Sequence, residues 1–132
     1  MADLFKLRVI APDRNFYEGE VMMVEFTGTE GAMGIYKNHV PLTVILAPGI
    51  LRIHEVNGVK RAALHAGFVE ILPEQVTILA EVVEWPQEID RKRAEEAKIR
   101  AERRLSGQSQ ETDTARAELA LRRSLTRLGV TK

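Results

Sequence analysis

The stretch EWPQEIDRKRAEEA, Glu84 to Ala97, separates two kinds of sequence. Upstream of it, apolar residues recur with a period of two: in FKLRVI, Phe5, Leu7 and Val9 alternate with Lys6 and Arg8. Such alternation turns one face of a strand to a core and the other to water. Downstream, from about Gln87 to Leu105, the residues are mostly Ala, Glu, Lys and Arg, all good helix formers. Pro86 closes the strand pattern. Asp90 carries the short acceptor side chain that caps a helix start. Two domains follow, residues 1–86 and residues 87–132.

Working back from the boundary, VTILAEVV is preceded by the turn PEQ and the run FVEIL, which reads as a hairpin. Asn57-Gly58 lies between RIHEV and VKRAAL, a second hairpin signal because both residues tolerate positive φ. LTVIL, ILRIHEV, VMMVEF and FKLRVI are further short apolar runs. About eight to ten short strands with regular turns predict a β-sandwich or a flattened barrel. The segment GAMGIYKNHVPL, Gly31 to Leu42, reads as a long loop with two glycines. Its Met33, Ile35 and Tyr36 would be awkwardly apolar in water, which suits a loop that docks on a partner. It lacks the GxGxxG spacing of a phosphate cradle, and no helix follows it.

Working forward, Ala94, Ala97, Ala101 and Leu105 share one helical face. SGQSQ breaks the helix, with Gly107 placed as a C-terminal cap. A second helix is expected from about Thr112 to Leu128, with Ala117, Leu121, Leu125 and Leu128 as its stripe. Two helices joined by a short loop form an antiparallel hairpin. The fold class is therefore a β-sandwich N-terminal domain followed by a C-terminal α-helical hairpin. An alanine stripe buries little area, at about 25 cal/mol per Å², so the hairpin is expected to be marginal against its neighbours.

The net charge of the 132 residues is zero, yet the two parts differ. Residues 1–86 hold 7 Lys and Arg against 11 Asp and Glu, and residues 87–132 hold 12 against 8. The parts attract each other weakly, and so mild a basic excess does not call for nucleic acid. There is no cysteine, which excludes disulfides and cysteine zinc sites. The N-terminal run is broken by charges and does not read as a signal peptide, and no apolar run is long enough to span a bilayer.

No catalytic set emerges. His39, His54 and His65 fall on separate elements, and HExxH, CxxC, GxSxG and P-loop patterns are missing. This counts against an enzyme. Aromatic residues make up 5% of the chain, which counts against a carbohydrate-binding sandwich. The charged positions of the helices are more informative. Asp90, Arg93, Ala97 and Arg100 fall along one strip of the first helix. Arg123 and Arg127 on the second helix have no acid three or four residues away, so any partner must come from another element. If the leucine stripe packs inward, these two arginines lie on the hairpin's flank.

Together APDRNFYEGEV, GAMGI…NHVPL, GFVEILPEQVTILAE, IDRKRA, AERRL and RAELALRRSLTRL resemble the epsilon subunits of bacterial ATP synthases, over essentially the whole chain. The resemblance implies a non-catalytic rotor subunit with no required cofactor. Its sandwich would dock on the gamma subunit and on the membrane rotor ring, through Gly34, Ile35, Tyr36, His39 and Pro41. Its helices would inhibit ATP hydrolysis by extending toward the catalytic alpha and beta subunits. The location would be peripheral, on the cytoplasmic face of the bacterial plasma membrane. IDRKRA fits the family's ATP-binding motif I/L-D-x-x-R-A at Ile89, Asp90, Arg93 and Ala94. Glu84, Arg100, Arg123 and Arg127 complete the implied site, with ATP as a regulatory ligand. The loop departs from the family: GIYKNH lacks its usual proline and glycine.

Overall fold

The computed structural model describes residues 3–107 and 114–131. Eight strands come first among them: β1 (Phe5–Ala11), β2 (Arg14–Val21), β3 (Met23–Gly28), β4 (Gly31–Ile35), β5 (Leu42–Ile45), β6 (Gly49–Glu55), β7 (Gly58–Ile71) and β8 (Gln75–Glu84). A 3₁₀ turn (Pro86–Glu88) and the helices α1 (Arg91–Ser106) and α2 (Thr114–Val130) follow.

The strands run in the order β2-β1-β8-β7-β6-β3-β4, with β5 added beside β7. All pairs are antiparallel except β1 with β8. The strand that makes a sandwich of this sheet is β7. Its first half pairs with β6, and its second half pairs with β5. Between the halves, its register with β8 shifts at Leu64/Ala66 and again at Ala66/Gly67. Bulges of this kind bend a strand and turn it from one layer into the other. Gly67 is required at the bend: its φ is 137°, and an added Cβ would run into the carbonyl of Leu79. The bridge Gly28↔Leu46 and the bond Ala47 N–H to Thr27 O (3.0 Å) tie the end of β5 back to β3. Phe5, Leu7, Val9, Phe26, Leu51, Ile53, Val69 and Ile78 fill the space between the layers.

Both expected hairpins form. Glu55 pairs with Gly58, so the tight turn is Val56-Asn57, and Gly58 rather than Asn57 takes the positive φ of 154°. Leu72 N–H reaches Gln75 O across the second turn (2.9 Å). The Gly31–Leu42 segment differs from its expected form. Its first five residues are strand β4, paired with β3. Pairing imposes alternation, which sends Ile35 into the core at 1% exposure. The turn proper begins at Tyr36 and contains Asn38 in the left-handed region (φ 67°).

The helical part is a hairpin, as expected, with three local differences. The 3₁₀ turn takes up Pro86–Glu88, so α1 begins at Arg91 with Asp90 as its N-cap. Gly107 occupies the C-cap position with extended backbone, φ −71° and ψ 166°, not the left-handed form. On α2 the buried residues are Ala117, Ser124, Thr126, Leu128 and Val130, while Leu125 is 47% exposed and Leu121 half-buried. The reason is that α2 has two neighbours. It packs on α1 and also on β6 and β7. The helix pair closes on small side chains, with Ala94 and Ala101 buried on α1 and Ala117 and Ser124 on α2. Most of the expected SGQSQ break and the expected start at Thr112 lie outside the described residues.

Candidate binding site at the hinge

The site is built around the start of α1. Asp90 Oδ1 accepts a hydrogen bond from the Arg93 amide (3.1 Å), which satisfies one of the open donors of the first turn. Capping fixes the rotation of α1, and with it the strip predicted from spacing. Asp90, Arg93, Ala97 and Arg100 all line one cleft of about 440 Å³. Ile89 and Ala94 line it as well. Glu84 and Glu88 close it from the hinge side, and Arg127 closes it from α2.

Glu84 is the pivot of the electrostatics. Its Oε1 accepts from Arg127 Nε at 2.8 Å and lies 3.1 Å from His65 Nε2. Burial works to raise the Glu84 carboxyl, but the hydrogen bonds to His65 and Arg127 outweigh it and hold the group below the usual carboxylate range. Arg127 thus finds its partner outside its own helix, and the acidic sandwich meets the basic hairpin at a defined pair. Glu88 is held by a bidentate ion pair with Arg14 of β2 (2.7 and 2.8 Å). The hydrogen bond from Arg14, and a second from the Trp85 amide, keep the Glu88 carboxyl low as well.

Seven of the eight residues expected at the nucleotide site therefore come together: Glu84, Ile89, Asp90, Arg93, Ala94, Arg100 and Arg127. Arg123 does not line the cleft. It lies one turn before Arg127 on α2 and is exposed. Glu88 lines the cleft and was not singled out from sequence; its place follows from the 3₁₀ turn, which has no clear periodic signature. His65 belongs to no motif legible in the sequence. It is the extra residue of the β7 bulge and is 2% exposed, which only the pairing register reveals.

The residues expected to dock on a rotor divide. Tyr36 is 62% exposed, and Gly34 and Pro41 are also exposed. His39 is half-buried, with its Nδ1 2.8 Å from Val40 O. Ile35 is excluded from any surface by its place in the core.

Chemically, the cleft combines the guanidinium groups of Arg93, Arg100 and Arg127 with the acceptors Asp90, Glu84 and Glu88. Guanidinium groups bind phosphate oxygens in bidentate fashion, and carboxylates accept from amino and hydroxyl groups. A volume of about 440 Å³ falls in the range of small-molecule pockets. The histidines do not converge: His54 pairs with Glu25 and His65 with Glu84. No group of three or more His, Asp or Glu suited to a metal ion occurs among the described residues. Among the described residues no helix is long and apolar enough to cross a membrane.

The structure is thus a β-sandwich with a helical hairpin docked over a charged cleft. The chain belongs to the ATP synthase delta/epsilon chain family, whose β-sandwich domain matches residues 4–86 and whose long α-helix domain matches residues 87–132. It is 47% identical over 125 residues to the ATP synthase epsilon chain of Halalkalibacterium halodurans, covering 94% of each chain. It is 44% identical over 133 residues to that of Clostridium kluyveri, covering 100% of both. A chain of the Euglena gracilis mitochondrial ATP synthase shares the fold, with a TM-score of 0.79, 22% identity, and coverage of 90% of this chain and 76% of that one. A chain of the Tetrahymena thermophila mitochondrial ATP synthase central stalk and c-ring has a TM-score of 0.58 at 17% identity, covering 98% and 95%.

Proposed function

We propose that this subunit couples the central stalk of a rotary ATP synthase to the membrane rotor ring and restrains ATP hydrolysis through its helical hairpin. The sandwich serves as the rigid rotor element, held by the gamma subunit. The hairpin has two positions, docked on the sandwich as described above, or extended toward the alpha and beta subunits. ATP is the regulatory ligand that favours the docked position, and no cofactor is required. The working location is peripheral, at the cytoplasmic face of the bacterial plasma membrane.

The observation that carries this reading is the composition of the cleft. Its walls come from the hinge, from α1 and from α2 at once. A ligand bound there contacts all three only when the hairpin is docked, so it stabilises that form alone. The gain is RT ln(1 + [ATP]/Kd), about 1.4 kcal/mol at ten times Kd. Such a gain suffices to shift a balance that begins near even; the two helices close on each other through alanine and serine, which bury little area, and Leu128 and Val130 are the larger apolar side chains that α2 buries. The test is to reconstitute the subunit with its ATPase complex and follow hydrolysis as ATP is raised. Release of inhibition with rising ATP in the wild type, lost in Arg93→Ala, supports the reading. Inhibition that ignores ATP in both proteins removes it.

A further inference from the structure

The segment joining the two domains is fastened to the sandwich through two of its residues, Trp85 and Glu88. The Trp85 ring stacks on Phe16 of β2, with centroids 4.2 Å apart and planes at 19°. Arg14 lies over the other member of that pair, 4.9 Å from the Phe16 centroid. The same guanidinium grips both oxygens of Glu88 and reaches Val83 O at 3.4 Å. Glu88 Oε1 in turn accepts from the Trp85 amide at 2.8 Å, closing the 3₁₀ turn on itself. Trp85 also packs against the main hydrophobic core.

Beyond Glu88 this fastening stops. Ile89 and Asp90 have extended backbone, at φ −92° and ψ 128° and at φ −83° and ψ 101°. Asp90 directs its side chain forward, to the first turn of α1. Arg91, at the start of α1, bonds Thr131 Oγ1 (2.8 Å) and Leu128 O (3.4 Å), which ties α1 to the end of α2. Up to Glu88 the segment is bound to the sandwich; from Arg91 the start of α1 is bound to the end of α2, and the hairpin meets the sandwich through α2, by the Arg127–Glu84 pair and by its packing on β6 and β7.

We infer that the pivot of the hairpin is the two-residue joint Ile89-Asp90, not the composition boundary at Pro86, and that Arg14 is the positioning residue that fixes it there. The 3₁₀ turn moves with the sandwich. Aromatic stacking and a bidentate pair each resist peeling, whereas rotation between the Ile89 and Asp90 Cα atoms leaves intact the two backbone bonds that flank the joint, Ile89 N–H to Pro86 O (3.2 Å) and Ala94 N–H to Asp90 O (3.0 Å). One wall of the cleft, Glu84 and Glu88, is thereby fixed on the rotor side, and the other travels with α1 and α2. A ligand in the cleft spans the joint itself. The inference rests on the proposed undocking of the hairpin, but not on the nature of the ligand.

Trp85 is the single tryptophan and reports on the joint directly. In the full-length chain, Arg127→Glu combined with Val130→Asp places charges on the sandwich-facing side of α2 and drives the hairpin off. Small-angle scattering shows the release as an increased radius of gyration. Trp85 emission is expected to stay at its wild-type maximum in the released chain, and to move to the red only when Arg14→Ala is added. A red shift on release alone, with Arg14 intact, overturns the assignment of the joint. A chain that does not expand counts against undocking itself. The joint is then decided in the wild type by urea titration: the Trp85 indole resonance must persist until the sandwich amides are lost, after those of α2. An indole resonance that moves with the α2 amides overturns the inference.

Discussion

One oxygen of Glu84 bonds both Arg127 of α2 and His65 of the β7 bulge, at 2.8 and 3.1 Å. The contact joins the sandwich to the hairpin at the edge of the cleft. Removing the arginine leaves a part-buried carboxylate with one partner fewer. Arg127→Ala is expected to cost the docked hairpin about 1–2 kcal/mol, after allowance for partial exposure. Amide exchange on α2 should then accelerate by roughly five- to thirtyfold, with the β1 and β8 amides unchanged. Equal exchange in mutant and wild type would show the contact to be idle.

The same pair sets an acid limit. Glu84 is held below its ordinary value of 4.5, so its ionised form is the one the docked state favours. Its contribution is complete above the ordinary value and is lost as pH falls through the lowered one. Docking should therefore weaken on acidification below about 4.5, and Glu84→Gln should remove that part of the pH dependence. Hairpin amide exchange measured from neutral pH down to about pH 3 in both proteins checks the sign.

Arg123 offers a contrast with Arg127. It is exposed and outside the cleft, so Arg123→Ala should leave the docked structure and its stability within about 0.5 kcal/mol of wild type. If the extended hairpin lies against acidic surface of the catalytic subunits, the same change relieves inhibition, most clearly at low salt. Inhibition assays at two ionic strengths distinguish the outcomes.

Much of the cleft was legible because its densest part is local. Asp90, Arg93, Ala97 and Arg100 belong to one helix whose start Asp90 itself fixes, so spacing alone put them on one strip. Ile35 was misplaced because a five-residue strand rich in glycine resembles a loop until its pairing with β3 is known. Leu125 was misplaced because one periodic stripe cannot describe a helix with two neighbours. His65 and Arg14 gained their roles through pairings 19 and 74 residues distant, which no local pattern encodes.

Gly67 shows how sharply the bend is specified. With φ at 137° and the Leu79 carbonyl where a Cβ would go, Gly67→Ala should destabilise the sandwich by about 1–3 kcal/mol or more. Urea unfolding followed by far-ultraviolet circular dichroism measures it. An unchanged midpoint would mean that the bend can be made elsewhere in β7.

The surface turn after β4 makes a separate demand. Tyr36 is 62% exposed and Val40 is 74% exposed, with Ile35 anchoring the turn from inside. Tyr36→Asp should leave thermal stability nearly unchanged while lowering the efficiency of proton pumping in the assembled complex. Full pumping would exclude this turn from the rotor contact.

The decisive measurement is an ATP titration of the isolated subunit followed by amide resonances. Saturable shifts are expected at Glu84, from Asp90 to Arg100 and at Arg127, the groups that line the cleft. Asp90→Asn keeps the helix cap while removing a charge, so weaker binding in that variant would report ligand contact and not fraying, which typically costs about 1 kcal/mol. Arg93→Ala should weaken binding further by removing both a donor and a charge. A wild-type chain with no saturable shifts up to millimolar ATP would reduce the cleft to a capped helix start beside an ion pair, and would contradict ATP control of the hairpin.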